Sequence, residues 1–185
     1  MLNIMCGHLM YQLMGMVGEF TDVSSTFAMK FPTYTVVSGP NDSIRSEPKP
    51  NHIADHIVFT GTTTQDILAN VTIRAGYPRK DDEKVLRWEI DGTEGHILIE
   101  TTKVTPHVIE PDVYVNGELI DIAAAYPGVE LGGVGNQARL FESFAEGDES
   151  GYATLDDGLR LYKTLNAIKQ SADEGRRVTI DYGSK

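Results

Sequence analysis

The sequence has one cysteine, Cys6, which excludes an internal disulfide and any metal site built from several thiolates. It is poor in positive charge. Sixteen Lys and Arg stand against 27 Asp and Glu, a formal net charge of −11. That balance argues against nucleic acid and anionic membrane surfaces as partners. It has no membrane-length apolar run. Residues 1–17 are rich in Met and Leu, but Asn3, His8 and Gln12 interrupt them, and a span needs about 20 predominantly apolar residues. The same stretch lacks the basic beginning of a secretory signal, so a cytoplasmic protein is expected. There is one tryptophan, Trp88, and no G-x-S-x-G nucleophile motif.

What remains is ordinary globular material. A chain of 185 residues, 41% hydrophobic, is long enough for one domain with a real core. Residues 2–17 read as a helix that is apolar on nearly every side and closed by Gly18, so cover on several faces is expected. It starts without an N-cap, which implies that something precedes it. A β-rich stretch follows. Strands are expected at 21–30, 33–37, 52–59 and 65–74, with a Pro-containing loop over 38–50 and a charged loop over 76–84. In the 65–74 strand Ile67, Ala69, Val71 and Ile73 alternate against Leu68, Asn70 and Thr72.

The stretch 86–100 is the clearest hairpin. Leu86, Trp88 and Ile90 alternate with Arg87 and Glu89. After a Gly-bearing turn, Ile97 and Ile99 alternate with His96, Leu98 and Glu100. Its turn reads as longer than two residues, and Trp88 is placed in the core. Further strands are expected at 103–110, 112–115 and 118–122, the last two joined by Asn116-Gly117. Residues 123–135 read as a connector. Asn136 reads as the N-cap of a helix over 137–146, and Thr154 opens a helix over 155–172. On that helix Leu155, Leu159, Tyr162, Leu165, Ile168 and Ala172 make one stripe. A last strand is expected at 177–182. With no regular βαβ alternation, the class is α+β: one domain over 1–185, an open, mainly antiparallel sheet and helices packed on one face.

Chemistry-bearing motifs are few. Gly132-Gly133-Val134-Gly135 precedes a helix but lacks the G-x-G-x-x-G spacing and the strand before it that a dinucleotide turn needs. His52 and His56 fall on a strand, far apart along it, with no third metal ligand. Cys6 reads as a buried structural thiol. His8 stands alone as a polar group in an apolar helix. It is either a satisfied core histidine or an acid–base group, and the pattern does not decide.

Cys6-Gly7-His8, then Gly18-Glu19-Phe20, then the 86–95 hairpin resemble the C-terminal half of Gfo/Idh/MocA-family oxidoreductases, nearest to fungal members similar to the galactose-regulon repressor. Residues 138–145, 152–159 and 171–178 look like that family's closing helices and final turn. The resemblance implies a C-terminal α+β domain that shares a sugar-like or polyol substrate site with an N-terminal Rossmann domain binding NAD or NADP. It also implies a homodimer through the open sheet face. Leu68 and Leu98 are the apolar residues expected on that face. The Rossmann half and its Glu-Lys-Pro lysine motif have no counterpart here, since Glu47-Pro48-Lys49-Pro50 lies elsewhere. His8 matches the family's catalytic histidine, while its usual carboxylates four residues before and three after are Ile4 and Tyr11. No cofactor site and no activity are therefore expected of this chain alone. The alternatives are a regulator that binds ligand without turnover, or a stand-alone dimerisation module.

Overall fold

The computed structural model describes residues 2–37, 46–77, 80, 82–103, 111–125, 127–129 and 132–183. The chain opens with a π-helical turn, Leu2–Cys6, that runs straight into α1, Gly7–Val17. Gly18 closes it by donating its N–H to the Met14 carbonyl. Four β-elements follow: β1 (Phe20–Ala28), β2 (Thr33–Tyr34), β3 (Lys49–Pro50) and β4 (His56–Thr63). Then come β5 (Leu68–Arg74), β6 (Leu86–Gly92), β7 (Gly95–Thr101), β8 (Asp112–Val115) and β9 (Glu118–Leu119). The helices α2 (Ile122–Ala125), α3 (Gly132–Glu146) and α4 (Leu155–Glu174) and the short β10 (Val178–Thr179) complete the chain. The α+β class read from the sequence is the observed one, and every strand pairing described is antiparallel.

The chain divides into two compact units, Met1–Tyr77 with Leu155–Lys185, and Pro78–Thr154. In the first, a four-stranded sheet runs in the order β10-β1-β4-β5. α4 packs on β1, α1 packs against α4, and both helices contribute to one core. Period-two alternation decides which side chains enter it. Val23, Ile57, Phe59 and Ile73 point to the helices and meet Met10, Phe20, Leu165 and Ile168. Phe20 meets Phe59 edge-on at 5.9 Å between centroids, the preferred aromatic geometry. The other face carries Ser24, Thr26, Val58, Thr60, Leu68, Asn70 and Thr72, all exposed and uncharged, with Asp22, His56 and Arg74 at its ends.

The second unit holds the sheet β6-β7-β8-β9. The hairpin register puts Trp88 opposite Ile99 and Ile90 opposite Ile97, as the alternation requires. Two expectations fail here. Pairing continues to Gly92 opposite Gly95, so the turn is only Thr93-Glu94. Trp88 is half-buried, and the buried residues nearest it in sequence are Leu86 and Thr101. The principal core lies around Phe20 and Phe59 instead, in a different sheet from Trp88. The Asn116-Gly117 turn is as expected. Both residues take positive φ, 52° and 85°, the pairing that a two-residue type I′ hairpin demands.

Other differences have local causes. The 52–59 strand is shifted to 56–63 and passes through Gly61 and the threonines, because Gly61 sits opposite Val23 where the β1 backbone leaves no room for a side chain. Lys49 and Pro50, expected in a loop, pair with Thr33 and Tyr34. α3 begins at Gly132, so residues 132–135 are helix and Asn136 lies inside it rather than capping it. The strand expected at 103–110 lies outside the described residues beyond Lys103.

The stripe expected on α4 is half right. Leu165 and Ile168 are buried, but Leu155, Leu159 and Tyr162 are exposed. Their place is taken by polar residues with partners. Thr164 meets the Tyr182 hydroxyl at 2.7 Å, and Ser171 accepts the Ser25 N–H at 2.9 Å and donates to the Arg176 carbonyl at 2.6 Å. Ser171→Ala would leave both backbone groups without that partner in a buried setting. The expected loss is about 1–3 kcal/mol. A urea midpoint within error of the parent would refute it.

Candidate functional site

α1 places His8 in the first turn after the π-helical segment, on its exposed side. Ile4, one turn before, is 75% exposed, and Tyr11, one turn after, is 41% exposed. The cover expected on several faces of this helix is therefore incomplete. Cys6, Met10 and Val17 are buried while the Ile4–His8–Tyr11 side is open. His8 is therefore not a core residue. Tyr11 has its hydroxyl pushed up by burial and then by the charge of Asp157 on α4, so a carboxylate from the second helix acts on this side. Cys6, buried beneath, has its thiol pushed up to about 12 by desolvation and is inert.

The α1–β1 junction is fixed by a clamp the sequence did not reveal. Arg160 of α4 donates from Nε and Nη2 to the two oxygens of Glu19 and lies 4.7 Å over the Tyr182 ring. A planar guanidinium suits both contacts. It ties the end of the histidine-bearing helix to α4 and to the chain after β10.

A second polar cluster sits at the other end of the β4 strand. Asp55 is buried. It accepts the backbone N–H of Lys30 and of Phe31, at 2.9 and 2.7 Å, and pairs with His56 Nδ1 at 2.6 Å. Burial pushes its carboxyl up, but these hydrogen bonds together outweigh burial and hold it at about 2. A carboxyl lowered from 3.8 contributes stability that is complete above pH of about 4 and is lost as pH falls through about 2. The melting temperature is expected to drop across that window, and Asp55→Asn to flatten the drop while lowering stability at neutral pH. Parallel acid profiles for parent and variant would refute this.

His52 precedes the strand and is exposed, whereas His56 is its first residue. The two do not form a metal pair, and among the described residues no group of three His, Cys, Asp or Glu could hold a metal ion. Among the described residues no helix is long and apolar enough to cross a membrane. The Gly132–Gly135 run lies within α3, not between a strand and a helix, so these residues do not form the turn that a dinucleotide pyrophosphate needs. Leu68 is 79% exposed on the open face of the first sheet. Leu98 is half-buried and belongs to the sheet of the second unit. Val58, 40% exposed, is on the same face as Leu68, but the register sets it opposite Thr72, while Leu68 lies opposite Thr62.

This arrangement is that of a known class. Gal80p of Saccharomyces cerevisiae, as its E351K super-repressor mutant, matches with a TM-score of 0.77 and 19% identity, over 97% of this chain and 49% of that one. Gal80p of Kluyveromyces lactis matches at 0.76 and 20%, over 96% and 47%. Levoglucosan dehydrogenase, in complex with NADH and L-sorbose, matches at 0.70 and 18%, over 97% and 50%. At such identities the likeness is one of fold: the C-terminal α+β domain shared by Gal80p and Gfo/Idh/MocA-type oxidoreductases. The family model for the Gal80p C-terminal domain matches residues 1–101, and the chain belongs to that family. It spans about half the length of the solved structures it matches. No curated protein matches it significantly.

Proposed function

We propose that this chain is the substrate-facing and dimerising half of an NAD(P)-dependent oxidoreductase of the Gfo/Idh/MocA type, acting on a sugar or polyol. The observation that carries the reading is His8, exposed on α1, taken with the resemblance of Cys6-Gly7-His8 to the family's motif around its catalytic histidine. A histidine there can exchange a proton with a substrate hydroxyl. NAD or NADP would be bound by a Rossmann domain rather than by the residues of this chain. Hydride transfer needs the nicotinamide held against the substrate carbon, so the chain alone is expected to be inactive.

A second reading is a regulator that binds a sugar-like ligand without turnover. Two observations favour it. The residues one turn before and after His8 are Ile4, in the π-helical turn, and Tyr11, on α1, not carboxylates, and the matching family model is that of Gal80p. Titration of the purified chain with NADH and NADPH, followed by the nucleotide's own emission, tests the division of labour. Saturation in the micromolar range would overturn it. Joining the chain to a Rossmann domain of the family and assaying sugar-dependent NAD(P) reduction separates the two readings. Turnover lost in His8→Ala supports the enzyme, and ligand binding without turnover supports the regulator.

Dimerisation is proposed through the open face of the first sheet, where Val58 and Leu68 are exposed among uncharged Ser, Thr and Asn. Sedimentation at high micromolar concentration should give a dimer that Leu68→Lys weakens. A parent that remains monomeric refutes this interface.

A further inference from the structure

The cluster around Asp55 has an outward side that the reading above does not use. Asp55, ionised at neutral pH, can only accept. His56 Nδ1 must therefore be the donor in their 2.6 Å contact. In neutral imidazole that leaves Nε2 as an acceptor, and the side chain is 31% exposed. The ring is held in place by stacking on Phe31, 6.2 Å between centroids with 29° between planes. Phe31 is in turn backed by Gly76, where even a Cβ would come within 2.8 Å of its ring.

Arg74 is the cross-strand partner of His56, so their Cβ atoms stand side by side on the open face at about 4.5–5.5 Å. Its guanidinium lies 4.7 Å over the Tyr77 ring, which orients the fork without neutralising it. Among the described residues no carboxylate lies within ion-pair reach of Arg74. In a chain of net charge −11, that is a cation without a carboxylate partner, on the residue that pairs across the ladder with an oriented acceptor.

We propose that His56 and Arg74 form a binding site for a small oxyanion that carries a hydroxyl beside its charged oxygen, a hydrogen phosphate or a hydroxycarboxylate. The anionic oxygens accept from the Arg74 fork, which matches phosphate and carboxylate geometry. The hydroxyl donates to His56 Nε2. A simple carboxylate satisfies the first contact and leaves the second unmade. The site does not depend on the oxidoreductase reading, and it lies at the His56–Arg74 end of the same sheet face that is proposed above for the dimer contact.

The test is nuclear magnetic resonance of the full chain, following the histidine ring nitrogens and arginine Nε. Inorganic phosphate, lactate and acetate are added at matched ionic strength. Phosphate or lactate, or both, should shift the His56 and Arg74 signals to saturation, and which one does so identifies the source of the oxyanion. Acetate should not. Arg74→Ala should weaken the response by roughly tenfold or more, as expected for loss of a charge-assisted fork. Arg74→Lys, which keeps the charge but not the fork, should weaken it as well and provides the reading should the alanine variant fold poorly. Acetate saturating as tightly as phosphate and lactate overturns the proposal. So do shifts that grow linearly with salt, or shifts that survive unchanged in both variants.

Discussion

Gly61→Val is expected to unfold the unit formed by residues 1–77 and 155–185. Gly61 lies mid-strand in β4, opposite Val23. A Cβ built there comes within 2.3 Å of the Asp22 carbonyl oxygen and 2.7 Å of the Phe20 ring. A ring can turn away, but a backbone carbonyl in a paired strand cannot without breaking the ladder. Ordinary overpacking costs about 1–3 kcal/mol, and a backbone collision in the central pair of a sheet exceeds that. Gly61→Ala should suffer nearly as much, since the first added carbon already collides. Circular dichroism should show a large loss of strand signal and of cooperative melting. A valine variant that melts within a few degrees of the parent would refute the argument. The collision is mainly with backbone, so Phe20→Ala should not rescue it.

Phe20→Ala alone is the second large effect. Phe20 is completely buried, meets Phe59 edge-on, and sits beside the bulge where β1 shifts register between Phe20 and Asp22. Removing a buried ring costs about 3–5 kcal/mol, the transfer energy of the ring plus the cavity it leaves. For a unit of this size that lowers the melting temperature by roughly 10 °C or more. Phe20→Leu, which keeps most of the volume, should recover much of it. Equal losses for alanine and leucine would point to the bulge geometry rather than to burial.

Legibility in the sequence followed the range of the interactions. The 86–101 hairpin was readable because alternation and the glycines around its turn are local, and its register followed. The turn was read as too long because glycine at both 92 and 95 lets pairing run to the last residue. The helix at α4 was readable, but its buried side was not. Thr164 and Ser171 are inside because Tyr182 and Ser25 meet them, and nothing near them in the sequence announces either partner. Of the candidate site, His8 was visible through its likeness to a family motif. Asp55 and Arg74 were not. One depends on backbone groups about 25 residues away, and the other on a strand partner fixed only by the register of β4 and β5. A lone aspartate before a β-rich run, and an arginine ending one, are otherwise ordinary surface residues.

The position of Trp88 sets what can be seen in solution. It is the chain's single indole, and it belongs to the unit 78–154. The other unit, with His8, Asp55 and the main core, contributes tyrosines but no tryptophan. Red-edge excited emission therefore follows one half of the polypeptide, while far-ultraviolet ellipticity follows both. If the two units lose structure at different denaturant concentrations, the two optical transitions will not coincide. A free energy fitted to indole emission alone would then belong to residues 78–154, and the Gly61 and Phe20 variants would look nearly silent by that probe.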